Sequence, residues 1–376
     1  MATSYSWHPG TDRVTEPGII PIPLLPDEIM SSWLTRAALF QGCDPLVLTG
    51  VLWPKWRAWT RDIDRGLDHE RLIELSSVSG IDPKILRAAC LRSILSAVIS
   101  GSPDDLATWP WILALGTRNR KRLGGLQYCP ICLAEDAKPY FRIQWRLAWH
   151  TCCDFHPTRL LDKCNRCGAP ITPHCLSATD SDIVICAACK CDLRNTTASS
   201  LSKDALQFQR AADRTVKYRQ GQYGTMNLSS VEWFTLSRHF MMILRKASSG
   251  KSEKLLAMLN MLGVGIETLK PTLTGLAFEM LPVSERSMLL ESVWQIIQAE
   301  ADRYLDAVSC SFLAKSSLGN GRHPVPSCIE RICHAGLNPG VHHRRKKRVV
   351  IRKNRSKQAV LRMWARLQRK TQVSTK

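Results

Sequence analysis

The chain has 376 residues, with 52 Lys or Arg against 32 Asp or Glu, giving a formal net charge of +20 with neutral histidines. At 44% apolar residues it holds enough hydrophobic material for packed cores in two or three domains, which excludes a wholly disordered chain. The most apolar stretch, Ile85 to Ser100, is broken by Arg87 and Arg92, and Met1 to Glu28 shows no charged-then-apolar leader pattern. A membrane span and a secretory signal are thus not expected, and a cytoplasmic protein is.

Helical patterning starts after an extension of 22 residues. Pro26-Asp27 opens a run in which Ile29, Trp33, Ala37 and Phe40 recur every three or four positions, the spacing of one helix face. Trp53 to Thr60, WPKWRAWT, sets three tryptophans beside Lys55, Arg57 and Arg61. Three readings stay open for them: core residues, a protein-docking surface, or a stacking platform for bases. His69 to Leu91 predicts a helix, a turn at Gly80 and a second helix opening at Asp82-Pro83. That is the outline of a helix-turn-helix and equally of a plain helical hairpin.

Fifteen cysteines in a cytoplasmic chain favour metal binding over disulfides, and ten of them lie from Cys129 to Cys191. Cys129 and Cys132 form a CxxC, and Cys153 with His156 supplies a second pair at the same spacing. Cys164 and Cys167, then Cys186 and Cys189, form a further set of four. Two residues between ligands let a tight turn aim both side chains at one ion, and two such turns complete a tetrahedron suited to Zn2+. Both sets are coordinatively closed, so the expectation is two structural zinc ions per chain; neither leaves the open position that a catalytic zinc needs. Cys152 beside Cys153 and Cys191 beyond Cys189 are alternative ligands, and His150, His174 and Cys175 are spares.

Beyond the cysteines, Asn195 to Asp204 reads as a polar linker and Ser248 to Ser252 as an exposed break. Helices are predicted over Val231 to Lys246, Glu253 to Leu262 and Ser284 to Tyr304, with shorter helical pieces around Gly319 to Gly321. No sustained strand alternation is visible outside the zinc hairpins. From His342 to Lys376 there are fourteen Lys or Arg and no acid. Arg344, Arg345, Lys346, Lys347 and Arg348, followed by Arg352, Lys353, Arg355 and Lys357, are the candidate phosphate contacts, able to release counterions with little sequence preference. Val360, Met363, Trp364 and Leu367 then fall at helical spacing among further arginines, which predicts a basic amphipathic helix.

These segments together resemble the TniQ/TnsD family of transposition proteins. The resemblance is carried by LPDEIMSSWLTRAAL (Leu25 to Leu39), YCPICL with the Trp145-Arg146 pair, CDFHPTRLLDKCNRCGAPI (Cys153 to Ile171) and CAACKCDL (Cys186 to Leu193), in the family's order. FEMLPVSERSMLLESVW (Phe278 to Trp294) is similar to the second domain of members from heteromeric transposons. The doubled Cys152-Cys153 and the extra Cys191 depart from the pattern, and the basic tail lies outside it. The resemblance implies a non-enzymatic target-selection factor that binds target DNA or docks on an RNA-guided CRISPR effector complex. It also implies an AAA+ ATPase as partner, association with the bacterial nucleoid through DNA, and a homodimer in some members.

The fold class expected is mainly α. The domains expected are an extension (1–22), a helical domain with a helix-turn-helix-like unit (23–125), tandem zinc-knuckle modules (126–195), a second helical domain (196–341) and a basic tail (342–376). An enzyme needs clustered carboxylates or a nucleophile with a positioned base, and Asp104-Asp105, Glu135-Asp136 and Asp180 with Asp182 match no such motif. The alternative from another class is a general zinc-ribbon factor acting in transcription or on RNA.

Overall fold

The computed structural model describes residues 22–104, 106–115, 125–197, 199–249, 252–265, 276–313, 315–319 and 325–336, together with Trp364. Helix α1 (Met30–Phe40) starts after Asp27 turns the chain at φ +56° and Ile29 takes an extended N-cap position. Met30, Trp33, Leu34, Ala37 and Ala38 of this helix share one core with Leu48 of α2 (Pro45–Leu52), Leu72 and Leu75 of α3 (His69–Ser79) and Leu86 of α4 (Pro83–Ala88). Three of the four predicted face residues are buried, whereas Phe40, in the last helical position before the turn at Gln41 and Gly42, is exposed.

The predicted hairpin is present: the Asp68 carboxylate caps α3, Gly80 ends it at φ +70°, and Asp82 caps α4 by accepting from the Lys84 amide. α4 is only six residues long and leads into the single turn of α5 (Arg92–Leu95). The three tryptophans belong to this core and its edge. Trp53 is buried and donates to Glu74 at 3.0 Å, Trp56 meets its ring edge-on at 5.2 Å, and Trp59 donates to the Thr49 hydroxyl at 2.8 Å.

The cysteine region opens with α6 (Pro130–Glu135) and has little regular structure otherwise. Strand β1 (Thr158–Arg159) pairs antiparallel with β2 (Ser199–Ser200), Thr158 opposite Ser200. The predicted linker therefore holds a strand, and its Ser202 hydroxyl caps the next helix.

That helix, α7 (Lys203–Tyr218), has no counterpart among the elements predicted from sequence, and neither has the hairpin of β3 (Gln220–Tyr223) and β4 (Met226–Ser229) that follows. Next come α8 (Ser230–Ser248), with a complete Ser229–Glu232 capping box, and α9 (Glu253–Met261). The run predicted as one helix from Ser284 is two, α10 (Val283–Gln298) and α11 (Glu300–Cys310), parted where Glu300 takes φ +61°. α12 (Lys315–Leu318) and α13 (Ser327–Gly336) complete the described helices.

Buried polar side chains tie these regions together. Arg146, fully buried, donates to Asp62 at 2.7 Å, to Asp64, and to the Leu113 carbonyl at 2.9 Å, joining the cysteine region to the N-terminal helices. Arg286 of α10, also fully buried, donates to the Ala148 carbonyl and the Gln127 side chain, both at 2.7 Å. Burial pushes Arg286 down to about 10, still charged at neutral pH. Between them, Trp111, Trp149, Phe234 and Phe278 pack ring against ring at 5.1–5.5 Å or at 6.4 Å, one aromatic core fed by all three regions.

The chain divides into two units, Met1–Gly336 and Leu337–Lys376. In the second, only Trp364 is described, helical and exposed; the nine predicted phosphate contacts and the rest of the predicted amphipathic helix lie outside the described residues. No helix among the described residues is long and apolar enough to cross a membrane.

Candidate metal centres

The first centre forms where the start of α6 meets the turn after Thr151. Pro130 at the first helical position sets up a tight turn, so Cys129 and Cys132 face the same way. Their partners Cys153 and His156 come from a turn in which the Cys153 amide donates to the Thr158 carbonyl at 2.9 Å. The Cys132 sulfur lies 3.4 Å from Cys153 Sγ and 3.3 Å from His156 Nδ1, and His156 Nδ1 is 3.5 and 3.6 Å from the sulfurs of Cys153 and Cys129. Ligands of a tetrahedral zinc, bonded at about 2.0–2.3 Å, stand roughly 3.3–3.8 Å apart. The set of three thiols and one imidazole fits such an ion, and its cysteines are buried.

His156 also shows a feature that the spacing did not reveal. Its Nε2 lies 2.9 Å from the Glu135 carboxylate, which fixes the tautomer that leaves Nδ1 free to face the thiols. Burial alone would lower this imidazole, but the hydrogen bonds to Glu135 and Cys153 outweigh it and hold it above the ordinary histidine value. Glu135 read only as half of an acidic pair in the sequence; its place three residues after Cys132 on α6 was the available signal.

The second centre is built from two turns of the same design. In one, the Gly168 amide donates to the Cys164 carbonyl at 2.9 Å with Gly168 at φ +69°; in the other, the Lys190 amide donates to the Cys186 carbonyl at 2.8 Å with Lys190 at φ +59°. Backbone amides of Arg166 and Cys167 point at the Cys164 sulfur, and those of Ala188 and Cys189 point at Cys186 in the same way. This is a repeated thiolate cradle, in which fixed N–H dipoles favour the charged sulfur.

Five thiols meet here. Cys164, Cys186, Cys189 and Cys191 have sulfurs within 4.8 Å of one another, and Cys167 Sγ is 3.8 Å from Cys186 Sγ. Cys191 approaches Cys164 to 3.2 Å. Of the predicted set, Cys164, Cys186 and Cys189 group with Cys191, a fifth thiol that falls in neither CxxC turn, while Cys167 stands beside that group. Each of the two clusters can hold a metal ion and is compatible with Zn2+.

The spare candidates go elsewhere. Cys152 turns its sulfur toward the Ser202 carbonyl at 3.9 Å. His174 stacks on Trp59, rings 5.1 Å apart and 11° from parallel, and Cys175 is exposed. His150 belongs to a third group with Asp154 and Asp213: its Nε2 is 2.8 Å from Asp213, which also accepts from the Trp149 indole at 2.8 Å. Burial opposes a charge on His150, but Asp213 outweighs it and raises the imidazole. Gln209 of α7 completes this junction by accepting from the Thr151 and Cys152 amides, both at 3.1 Å, and donating to Asp154 at 2.6 Å.

Fold and centres together define a mainly helical scaffold whose middle is organised by two closed, metal-competent cysteine clusters. Residues 19–160 match the TniQ family model, so this part of the chain is similar to a TniQ domain. The match runs from the segment before α1 through the first cluster and stops short of Cys164. A TniQ domain implies a transposition-associated role in target selection. No curated protein matches the chain.

Proposed function

We propose that this protein is a non-enzymatic target-selection factor in DNA transposition, which binds target DNA or a target-recognition complex and links it to an AAA+ ATPase. The observation that carries the reading is the TniQ-like domain with its cluster of three cysteines and a histidine wired into the helices on either side. In this reading Cys129, Cys132, Cys153 and His156 hold one structural zinc and Cys164, Cys167, Cys186 and Cys189 the other. Each ion acts as a cross-link in place of the hydrophobic core that a short module lacks. The five-part division made from the sequence serves as its working anatomy, with the N-terminal helices as docking surface. Lys84, Ile85 and Arg87 on α4 are exposed, as a helix presented to a partner or a DNA groove requires. The tail, from Arg344 to Lys357, supplies phosphate contacts. Base-edge contacts or an RNA-guided complex then set the target, and bond breaking belongs to the transposase.

The test is a selection from random duplex DNA at physiological salt, run beside a pull-down with the transposon's ATPase. Retention of the ATPase is the result expected. An enriched DNA sequence makes the protein a direct reader, and DNA binding at low salt without enrichment makes it an adaptor. Preference for RNA with no ATPase retained contradicts the reading and favours the general zinc-ribbon factor. Deleting residues 342–376 should weaken binding evenly across sequences and flatten the salt slope by about 0.9 for each phosphate no longer neutralised.

A further inference from the structure

Helix α7 carries an exposed face that neither the cysteine clusters nor the tail uses. Its buried side, with Ala205, Phe208, Gln209, Ala212 and Thr215, faces the core. On the outer side Lys203, Gln207, Arg210, Arg214 and Lys217 are all exposed, spaced by four, three, four and three residues, so they form one stripe. At a rise of about 1.5 Å per residue the stripe is roughly 21 Å long. Arg219, exposed at the C-cap, instead donates to the Ser96 hydroxyl at 3.2 Å.

Surface cations on a helix are commonly answered by carboxylates three or four residues away. Here the two acids of α7 are engaged elsewhere: Asp204 accepts from Gln295 at 3.1 Å, and Asp213 accepts from Trp149 and pairs with His150. The side chains of Lys203, Arg210 and Arg214 make no hydrogen bond or ion pair to any described residue. Three unpaired like charges, with Lys217 beside them over the Tyr218 ring at 5.3 Å, match a polymer that repeats negative charge every few ångströms along one edge.

The stripe ends at a cleft of about 540 Å³ between the end of α7, the β3–β4 hairpin and the end of α10. Arg214 belongs to both, and Tyr218, Gln220, Asn227, Trp294 and Gln298 also line the cleft. Gly221 is obligatory at its wall, because a Cβ there would lie 2.6 Å from the Trp233 ring. Aromatic faces, carboxamides that donate and accept, and a guanidinium at the mouth are the groups that hold an unstacked base beside its phosphate. The Glu300 carboxylate in the lining disfavours a phosphate inside and can accept from a base amino group.

We propose that α7 and this cleft form a second DNA contact, separate from the tail: Lys203, Arg210, Arg214 and Lys217 hold the phosphates of one strand, and the cleft takes an unpaired base of that strand. The inference rests on the DNA-binding part of the proposed function and adds a preference for DNA with an unstacked nucleotide.

The test uses the full zinc-loaded chain and two fluorescent duplexes of one sequence, fully paired or with a single-nucleotide bulge, titrated by anisotropy over a salt series. Arg210→Gln/Arg214→Gln should lower the salt slope by about 1.8 on both duplexes, at roughly 0.9 per phosphate. Tyr218→Ala should weaken the bulged duplex about tenfold and leave the paired one unchanged, as expected for loss of one stacked base. All three positions are exposed, and unchanged thermal melting verifies that the variants fold. If the wild type binds both duplexes and neither variant changes slope or affinity, the α7 contact is wrong while the DNA-binding reading stands. A changed slope without the bulge-specific loss removes the base cleft. A wild type that binds neither duplex removes DNA binding itself, and this proposal with it.

Discussion

The two cysteine clusters share a ligand chemistry and differ in how they are held. The first is enclosed: Cys129, Cys132 and Cys153 are buried, Glu135 fixes His156, and the backbone around it is bonded by Gln209 of α7 and by Arg286 of α10. The second stands at the edge. Cys167 is exposed, and the module meets the N-terminal helices through the Trp59–His174 stack and an Ala178 amide that donates to Asp44 at 2.6 Å. Identical metal chemistry therefore carries different structural weight. What an ion stabilises is set by the elements that converge on it: three regions converge on the first cluster, whereas among the described residues the second module is held to the N-terminal helices by that stack and that one hydrogen bond.

The largest consequence follows for the first cluster. Cys129→Ser should abolish cooperative folding of the whole described unit, since it leaves buried thiols without their ion beneath two junctions. Cys167→Ser should instead unfold residues 164–193 locally while the aromatic core still melts cooperatively. Near-ultraviolet circular dichroism of both variants reads the difference, and equal collapse would break the distinction between the clusters.

The fifth thiol gives a smaller effect. With both CxxC turns presenting the same amide cradle, Cys191→Ser should keep two zinc ions per chain and cost less than Cys167→Ser. Loss of an ion in Cys191→Ser alone would move the ligand assignment from Cys167 to Cys191. Metal content of the two variants settles the matter.

The smallest effect is a dependence on pH that has opposite signs at the two junctions. Burial lowers His174, so the stability of its stack is fully present above the unfolded histidine value of about 6.5 and is lost as pH falls through the lower folded value. His150 is raised, chiefly by Asp213 against its burial, so its contribution is present below about 6.5 and is lost as pH rises through the higher folded value. Hydrogen exchange corrected for intrinsic rates should show residues 172–178 opening more at pH 5.5 than at 7.5, with His174→Phe insensitive. Residues 148–152 should change in the other direction. Parallel responses at both sites would contradict the comparison.

Much of this was legible in the chain because spacing encodes it. CxxC pairs announce turns, Gly80 and Asp82 announce a helix end and a cap, and Trp33 to Ala37 announces a buried face. α7 was not legible: its inner face mixes Ala205, Phe208 and Ala212 with the buried polar Gln209 and Thr215, and Gln209 points inward because the buried Thr151 and Cys152 amides need a partner. The β3–β4 hairpin escaped for a related reason. QGQYGTMNLS buries only Tyr223 and Leu228 firmly, and Gly224 at φ +56° makes the turn. Arg286 reaches back to Gln127 and Ala148 across long sequence separations, which no local pattern reports.

Two closed metal centres of unequal composition are the central claim, and X-ray absorption at the zinc edge, on protein purified without added chelator, tests it most directly. Two ions per chain with an average of about 3.5 sulfurs and 0.5 nitrogen per zinc is the result predicted for one site of three cysteines and a histidine beside one all-cysteine site. A folded protein holding one ion or none, or a zinc shell rich in oxygen, would contradict it.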